Sequence, residues 1–232
     1  MIIYGRNPVF EALRGRRRVR RVWATAGQGW PEGVEVLRAT AEELEELCGS
    51  PDHQGVCAEA EAYPYADPGG LLAAADALVV CLDEVQDPHN LGAVCRVAEA
   101  VGAAGVVIPE RRAAEVTPAV CKASAGAVEH LPVARVRNLA DWLREAKGAG
   151  AWVYGADSDA ELRYDTPDYA GRVVLVLGAE GRGLRPRVAA TCDALVALPL
   201  KGRVGSLNVS TAAAALLYGI LQLRDGGLDR GP

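Results

Sequence analysis

Lysine is scarce in this 232-residue chain: 22 of its 25 basic residues are arginine, a bias that codon usage or a hot habitat would each produce. Asparagine and serine are scarce too, with four and five copies. The six cysteines, at 48, 57, 81, 95, 121 and 192, include no CxxC pair, so neither a zinc ribbon nor a dithiol motif is expected. Cys81 and Cys95 lie inside apolar patterns and read as small buried hydrophobes, a usage that fits a reducing compartment. The start, MIIYGRNPVF, lacks the order of charge, apolar stretch and small-residue site of a secretory signal. Charge is absent from Val204 to Leu223, but Ser206, Asn208, Ser210, Thr211 and Gln222 are costly in lipid. A buried helix at a core or subunit interface is expected there, in a soluble cytoplasmic protein. Internal repeats, low-complexity tracts, a P-loop and a dinucleotide fingerprint are all missing.

The chain is 50% hydrophobic and 24% charged, with a net charge of −5, which excludes a disordered polymer. A pI near 5.3 argues against coating nucleic acid by bulk charge. Resolved along the chain, that charge is uneven. Residues 1–21 hold seven arginines and one acid, a net of +6, which leaves −11 for residues 22–232. Phosphate contacts are local, so this basic end is a candidate RNA-docking surface.

Residues 1–62 read as a small α/β unit. A short helix spans Asn7 to Arg14, strands run over Val19–Thr25, Val34–Leu37 and Val56–Ala62, and Thr40-Ala41-Glu42-Glu43 has capping-box form. Two prolines and two glycines between Tyr63 and Gly70 mark a linker, taken as 63–76. From 77 to 232 continuous apolar runs alternate with helical patterns. The runs are Ala77–Leu82, Gly105–Ile108, Ala151–Gly155, Val173–Leu177 and Ala194–Leu198. Such runs predict a parallel sheet covered on both faces, in an α/β domain. Helices are expected at Leu91–Val101, Thr117–Ala127, Asn138–Lys147, Leu184–Thr191 and Val209–Arg224.

In such sheets ligands bind beyond the carboxyl ends of the strands. Three loops there are rich in glycine and polar residues. The first, Asp83 to Gly92, holds Asn90, which is placed to cap the following helix, with Arg96 six residues on. An ion pair of Arg96 with Glu99 or Glu84 is the plain alternative. The second, Leu177 to Leu184, is G-x-x-G-x-G and carries Glu180, a carboxylate that no turn requires. The third, Leu198 to Ser210, holds Ser206 and Asn208, either of which also suits a helix N-cap. Two of the four asparagines and two of the five serines therefore fall just after strands, which points to a site.

Together the segments DPHNLGAVCRVAEAVGA, VLVLGAEGRGL and LPLKGRVGSLNVSTAAAALLY resemble the three motifs of the SpoU class of SPOUT methyltransferases, which methylate RNA ribose 2′-hydroxyls. The resemblance covers about residues 77–223. Gly5-Arg6-Asn7-Pro8-Val9 and His53-Gln54-Gly55-Val56 are similar to the ribosomal-protein-like substrate-binding domain of many members. His89 and the His-Gln-Gly segment bring the chain closest to enzymes that make 2′-O-methylguanosine in the large ribosomal RNA.

Several expectations follow from that resemblance. The residues alone suggest an open doubly wound sheet; the resemblance implies a C-terminal trefoil knot, a class that threading rules would not offer. It implies a homodimer, and S-adenosylmethionine bound by Leu177, Gly178, Leu198, Leu200 and Leu207. Arg96 is implied to act on the 2′-hydroxyl, with Asn90 orienting it, Glu180 holding basic side chains and nucleotide, and Ser206 and Asn208 completing the pocket. Neutral arginine is very rare at neutral pH, so a guanidinium that binds the adjacent phosphate and stabilises the nascent alkoxide fits better than a general base. RNA is expected to meet Arg6, Asn7, Arg16, Arg17, Arg18, His53 and Gln54. Gly178→Val is expected to block cofactor binding with the fold intact. The competing functions are a transfer-RNA ribose methyltransferase, an RNA-binding protein without catalysis, and a nucleotide-binding enzyme unrelated to RNA.

Overall fold

The computed structural model describes residues 1–26, 29–30 and 33–228. The first unit is built from β1 (Ile2–Tyr4), α1 (Arg6–Arg14), β2 (Val19–Ala24), β3 (Val36–Arg38), α2 (Ala41–Cys48) and β4 (Val56–Ala60). Its sheet has the order β1-β4-β2-β3, antiparallel except for the β2/β3 pair. The capping box forms as expected: the Thr40 hydroxyl accepts the Glu43 N–H, and the Glu43 carboxylate accepts the Thr40 N–H.

The second unit contains β5 (Leu78–Asp83), α3 (Pro88–Ala100), β6 (Gly105–Pro109), α4 (Pro118–Ala123), β7 (Val133–Val136) and α5 (Leu139–Gly148). It continues through β8 (Trp152–Ala156), β9 (Val173–Gly178), α6 (Pro186–Ala189), β10 (Ala194–Val196) and α7 (Val209–Leu228). The sheet is wholly parallel, in the order β10-β8-β9-β5-β6-β7. Strand periodicity sorts its residues into two cores. Leu78, Val80 and Leu82 of β5 face the layer of α3 and α7, whereas Val79 and Cys81 face the layer of α5. Every residue of β5 is buried, which is why it reads as an unbroken apolar run.

The differences from the sequence reading are local. β1 and β7 are additional strands. The helix expected over Thr117–Ala127 is the shorter α4 followed by a 3₁₀ turn at Ala127–Glu129. The segment taken as a linker is fastened down. The Tyr63 hydroxyl donates to the carbonyls of Val128 and Leu131, the Tyr65 hydroxyl accepts the Val116 N–H, and the Ala66 N–H reaches the Val133 carbonyl. The two units also touch directly. A Cβ on Gly126 would lie 2.7 Å from Glu11 Cβ, so only glycine allows α1 that close.

Two named residues are largely buried here. Arg17 is buried, with Nη2 and Nε on the Glu129 carboxylate and Nη1 on the Glu61 carbonyl. His53 is buried too, and its Nδ1 accepts the Gly55 N–H at 3.0 Å. The Arg17 side chain is not free to meet RNA, which corrects the expectation for it, whereas His53 keeps its Nε2 edge without a partner among the described residues. Arg6, Asn7, Arg16, Arg18 and Gln54 are exposed, and Gln54 Oε1 accepts the Arg6 N–H at 3.1 Å.

Candidate active site

The three loops converge at the carboxyl edge of the central strands. β5 and β9 pair in register as far as Asp83 and Gly178, so the first two loops leave the sheet side by side. The third follows β10 and ends where α7 begins.

Asp87, not Asn90, caps α3, its carboxylate accepting the His89 N–H at 2.9 Å. That corrects the capping role given to Asn90 and leaves its side chain free to reach across. Asn90 Nδ2 donates to Glu180 Oε1 at 2.8 Å. Asn208 Nδ2 donates to the same carboxylate oxygen at 2.5 Å and to Asn90 Oδ1 at 3.0 Å. Asn208 has a second duty. Its Oδ1 accepts the N–H groups of Ser210 and Thr211 and the Ser210 hydroxyl, capping α7. One residue from each loop thus closes a triangle of hydrogen bonds, and the helix dipole of α7 begins at its corner.

Beside the triangle lies a cleft of about 440 Å³, within the range for a small-molecule site. Leu177, Gly178, Leu198, Leu200, Ser206 and Leu207 all line it, as do Asp157 and Asp159 after β8. Gly178 matters sterically. A Cβ there would stand 2.1 Å from the carbonyl carbon of Gly183 and 2.5 Å from the Leu184 nitrogen, because the loop folds back onto its own start. Gly178→Val therefore disrupts the loop itself, which corrects the expectation of an intact fold. Apolar walls, a glycine floor and two carboxylates fit an adenine ring joined to a cationic chain.

Arg96 stands apart. It is exposed and, among the described residues, makes no hydrogen bond or ion pair. Glu84, its suggested partner, faces Arg112 and Arg185 instead. Six residues of α-helix turn about 240° and rise about 9 Å, so Arg96 leaves α3 on a different side from Asn90. Sequence reasoning missed Asp83 and Arg185, which form an ion pair at 2.6 Å beneath the glycine-rich loop. The hydrogen bond to Asp83 raises the Arg185 guanidinium above its ordinary value, against the lowering effect of partial burial. The available signal was an acid closing an otherwise apolar strand. Among the described residues no group of three potential metal ligands occurs, and no helix is long and apolar enough to cross a membrane.

The model of the SpoU rRNA Methylase family matches residues 77–218, the unit that holds all three loops. The chain belongs to that family. A second model, RNA 2′-O ribose methyltransferase substrate binding, matches residues 2–66 of this SpoU protein. A Bacillus subtilis relative, the putative TrmH family tRNA/rRNA methyltransferase YacO, is 40% identical over 96% of each chain. Among solved structures, the SpoU methyltransferase AviRb of Streptomyces viridochromogenes, in complex with AdoMet, superposes with a TM-score of 0.80 at 26% identity. That match covers 97% of this chain and 90% of AviRb. An AdoMet-bound rRNA methyltransferase from Sinorhizobium meliloti gives 0.82 at 26% identity, over 96% of this chain and 87% of that one.

Proposed function

We propose that this SpoU protein transfers a methyl group from S-adenosylmethionine to a ribose 2′-hydroxyl of RNA, at a guanosine of the large ribosomal RNA. The Asn90–Glu180–Asn208 triangle beside the Gly178–Leu207 cleft carries the reading. The AdoMet-bound relatives support the donor, and the Sinorhizobium rRNA enzyme, similar over nearly the whole chain, supports the substrate class. Such a substrate places the work in the cytoplasm.

The donor supplies a methyl group on a sulfonium, an already good leaving group. The protein's task is the nucleophile. Leu198 and Leu207 would wall the adenine, and the loop that Gly178 allows to fold back onto Gly183 would offer it backbone groups. Glu180 Oε1 is occupied by two amide groups, and Oε2 has no partner among the described residues, leaving it free for the nucleotide. Asn90 and Asn208 fix that carboxylate, and Ser206 completes the pocket. Arg96 leaves α3 away from the triangle, but its long guanidinium is exposed and has no partner among the described residues; it would bind the phosphate next to the reacting ribose and stabilise the charge that builds on the 2′-oxygen as the hydroxyl proton passes to phosphate or water. Arg6, Asn7 and Gln54 on the first unit, with Arg16 and Arg18, hold the RNA.

Two features of assembly belong to the same reading. The C-terminal segment threads a loop to form a trefoil knot. In support, the Val196 carbonyl accepts the Asp157 N–H on one side, while Ala197 pairs with Leu162 and Tyr164 on the other. Residues 157–164 thus flank the strand that leads to α7. The protein is also a homodimer. α7 buries Ala213, Leu216, Leu217 and Ile220 and leaves Thr211, Ala215, Tyr218 and Gln222 exposed at helical spacing, an uncharged stripe for a second copy. Mapping 2′-O-methyl positions in RNA from cells with and without this chain tests the substrate. Loss at one guanosine of the large ribosomal RNA supports the reading, and loss in transfer RNA replaces it with the other substrate.

A further inference from the structure

Beneath the glycine-rich loop sits a buried carboxylate that methyl transfer does not use. Asp83 ends β5, in register with Gly178 at the end of β9. Its side chain is 0% exposed. Oδ2 accepts the backbone N–H of Arg185 at 2.8 Å, and Oδ1 accepts Arg185 Nε at 2.7 Å and Nη2 at 2.6 Å. The loop that leaves the sheet at Gly178 is therefore returned to the same strand end seven residues later. A second layer of charge backs this contact. Arg185 Nη1 and Arg112 Nη1 approach Glu84 Oε1 at 3.4 and 3.5 Å, and Glu84 holds a left-handed φ of 60°.

The loop needs such an anchor. Gly178, Gly181 and Gly183 give it a large conformational entropy, and its internal bonds are those of Arg182 and Gly183 N–H to the Ala179 carbonyl. Fixing both ends before a ligand arrives removes that ordering cost from binding. The same loop carries Glu180, whose carboxylate must meet Asn90 and Asn208.

We propose that Asp83 and Arg185 are positioning residues that hold Gly178–Leu184 in the shape that receives the methyl donor and present Glu180 to the two asparagines. The proposal rests on the donor reading given above. Neither residue touches the cleft; each acts through the loop.

Calorimetric binding of S-adenosylmethionine to the full chain tests it, with Asp83→Asn, Arg185→Gln and Arg185→Lys. Asp83→Asn and Arg185→Gln are expected to weaken donor binding by about tenfold or more, as loss of a supporting shell does. Arg185→Lys gives a smaller loss, because the charge returns without the planar fork. KM for the donor rises in parallel, while at saturating donor the bound molecule reorders the loop and Glu180 with it, so that kcat and KM for RNA stay within about twofold. Unchanged donor affinity in a folded Arg185→Gln protein overturns the proposal, and so does a fall in kcat at unchanged affinity. Should Asp83→Asn fail to fold, Arg185→Gln decides, since its side chain is 42% exposed. If wild-type protein does not bind the donor, the donor reading fails by itself. Hydrogen exchange at Arg182–Leu184 still judges the clamp: faster exchange in Arg185→Gln supports it, and unchanged exchange contradicts it.

Discussion

Arg17 and Glu129, 112 residues apart, meet in a buried pair with Nη2–Oε1 at 2.5 Å and Nε–Oε2 at 2.8 Å. Each side chain is 1% exposed. Burial alone would lower the Arg17 guanidinium, but the Glu129 bond and charge reverse that and leave it raised. The pair mounts the first unit on the turn after α4. Removing one partner leaves the other charge buried, so Arg17→Ala is expected to cost about 3–5 kcal/mol in urea unfolding. The double variant Arg17→Met with Glu129→Leu recovers most of that loss, because no charge is left unpaired. A loss below 1 kcal/mol for Arg17→Ala, on the order of a surface pair, contradicts the buried-pair account.

Asn208 does two jobs that one substitution can separate. Asn208→Ala loses the α7 cap, worth about 1 kcal/mol, together with the bond to Glu180. Asn208→Ser keeps a capping oxygen but no amide donor. Thermal melting is expected to put the serine variant near wild type. Methyl transfer is expected to fall about a hundredfold in both, the usual scale for a lost site hydrogen-bond donor.

Tyr218 is 47% exposed on the uncharged stripe of α7. Tyr218→Glu places a charge where the second copy would pack. Light scattering is expected to give a dimer for wild type and a monomer for the variant. A variant that stays dimeric moves the interface elsewhere.

Burial pushes the Cys95 thiol from 9.0 up to about 12, with Cys121 adding to the shift. The sign follows from linkage. The folded protein keeps the proton while the unfolded chain loses it, so this contribution is intact below pH 9 and is lost as pH rises towards about 12. Cys95→Ala is expected to flatten the fall of stability across that window, measured by urea unfolding at stepped pH. An equal slope in both proteins contradicts it.

How far the sequence could be read depended on the range of the interactions involved. β5 and β9 were legible because burial on both faces writes a continuous apolar run. β7 was not, because Arg135 interrupts four residues of strand, and β1 has only three residues. Asn90, Glu180, Ser206 and Asn208 stand out as polar residues after strands, but the pairing of Asn90, Glu180 and Asn208 spans up to 118 residues and only the fold brings it about. Arg17 reads as one more arginine of the basic RNA-docking end, since its partner Glu129 is 112 residues along the chain. Asp83 and Arg185 carried no local signal of being joined. Gly178 is expected from the resemblance at the cofactor, but the requirement for glycine there comes from its own loop's Gly183, which only the fold reveals.

The central claim is methyl transfer to a ribose hydroxyl of RNA. Incubating the purified protein with tritiated S-adenosylmethionine and total RNA, then hydrolysing the RNA in alkali, tests it most directly. A 2′-O-methyl group removes the nucleophile that alkali cleavage needs. The account predicts label in alkali-resistant dinucleotides, strongly reduced for Asn90→Ala and Arg96→Lys. Label in mononucleotides, or none in RNA, would contradict it.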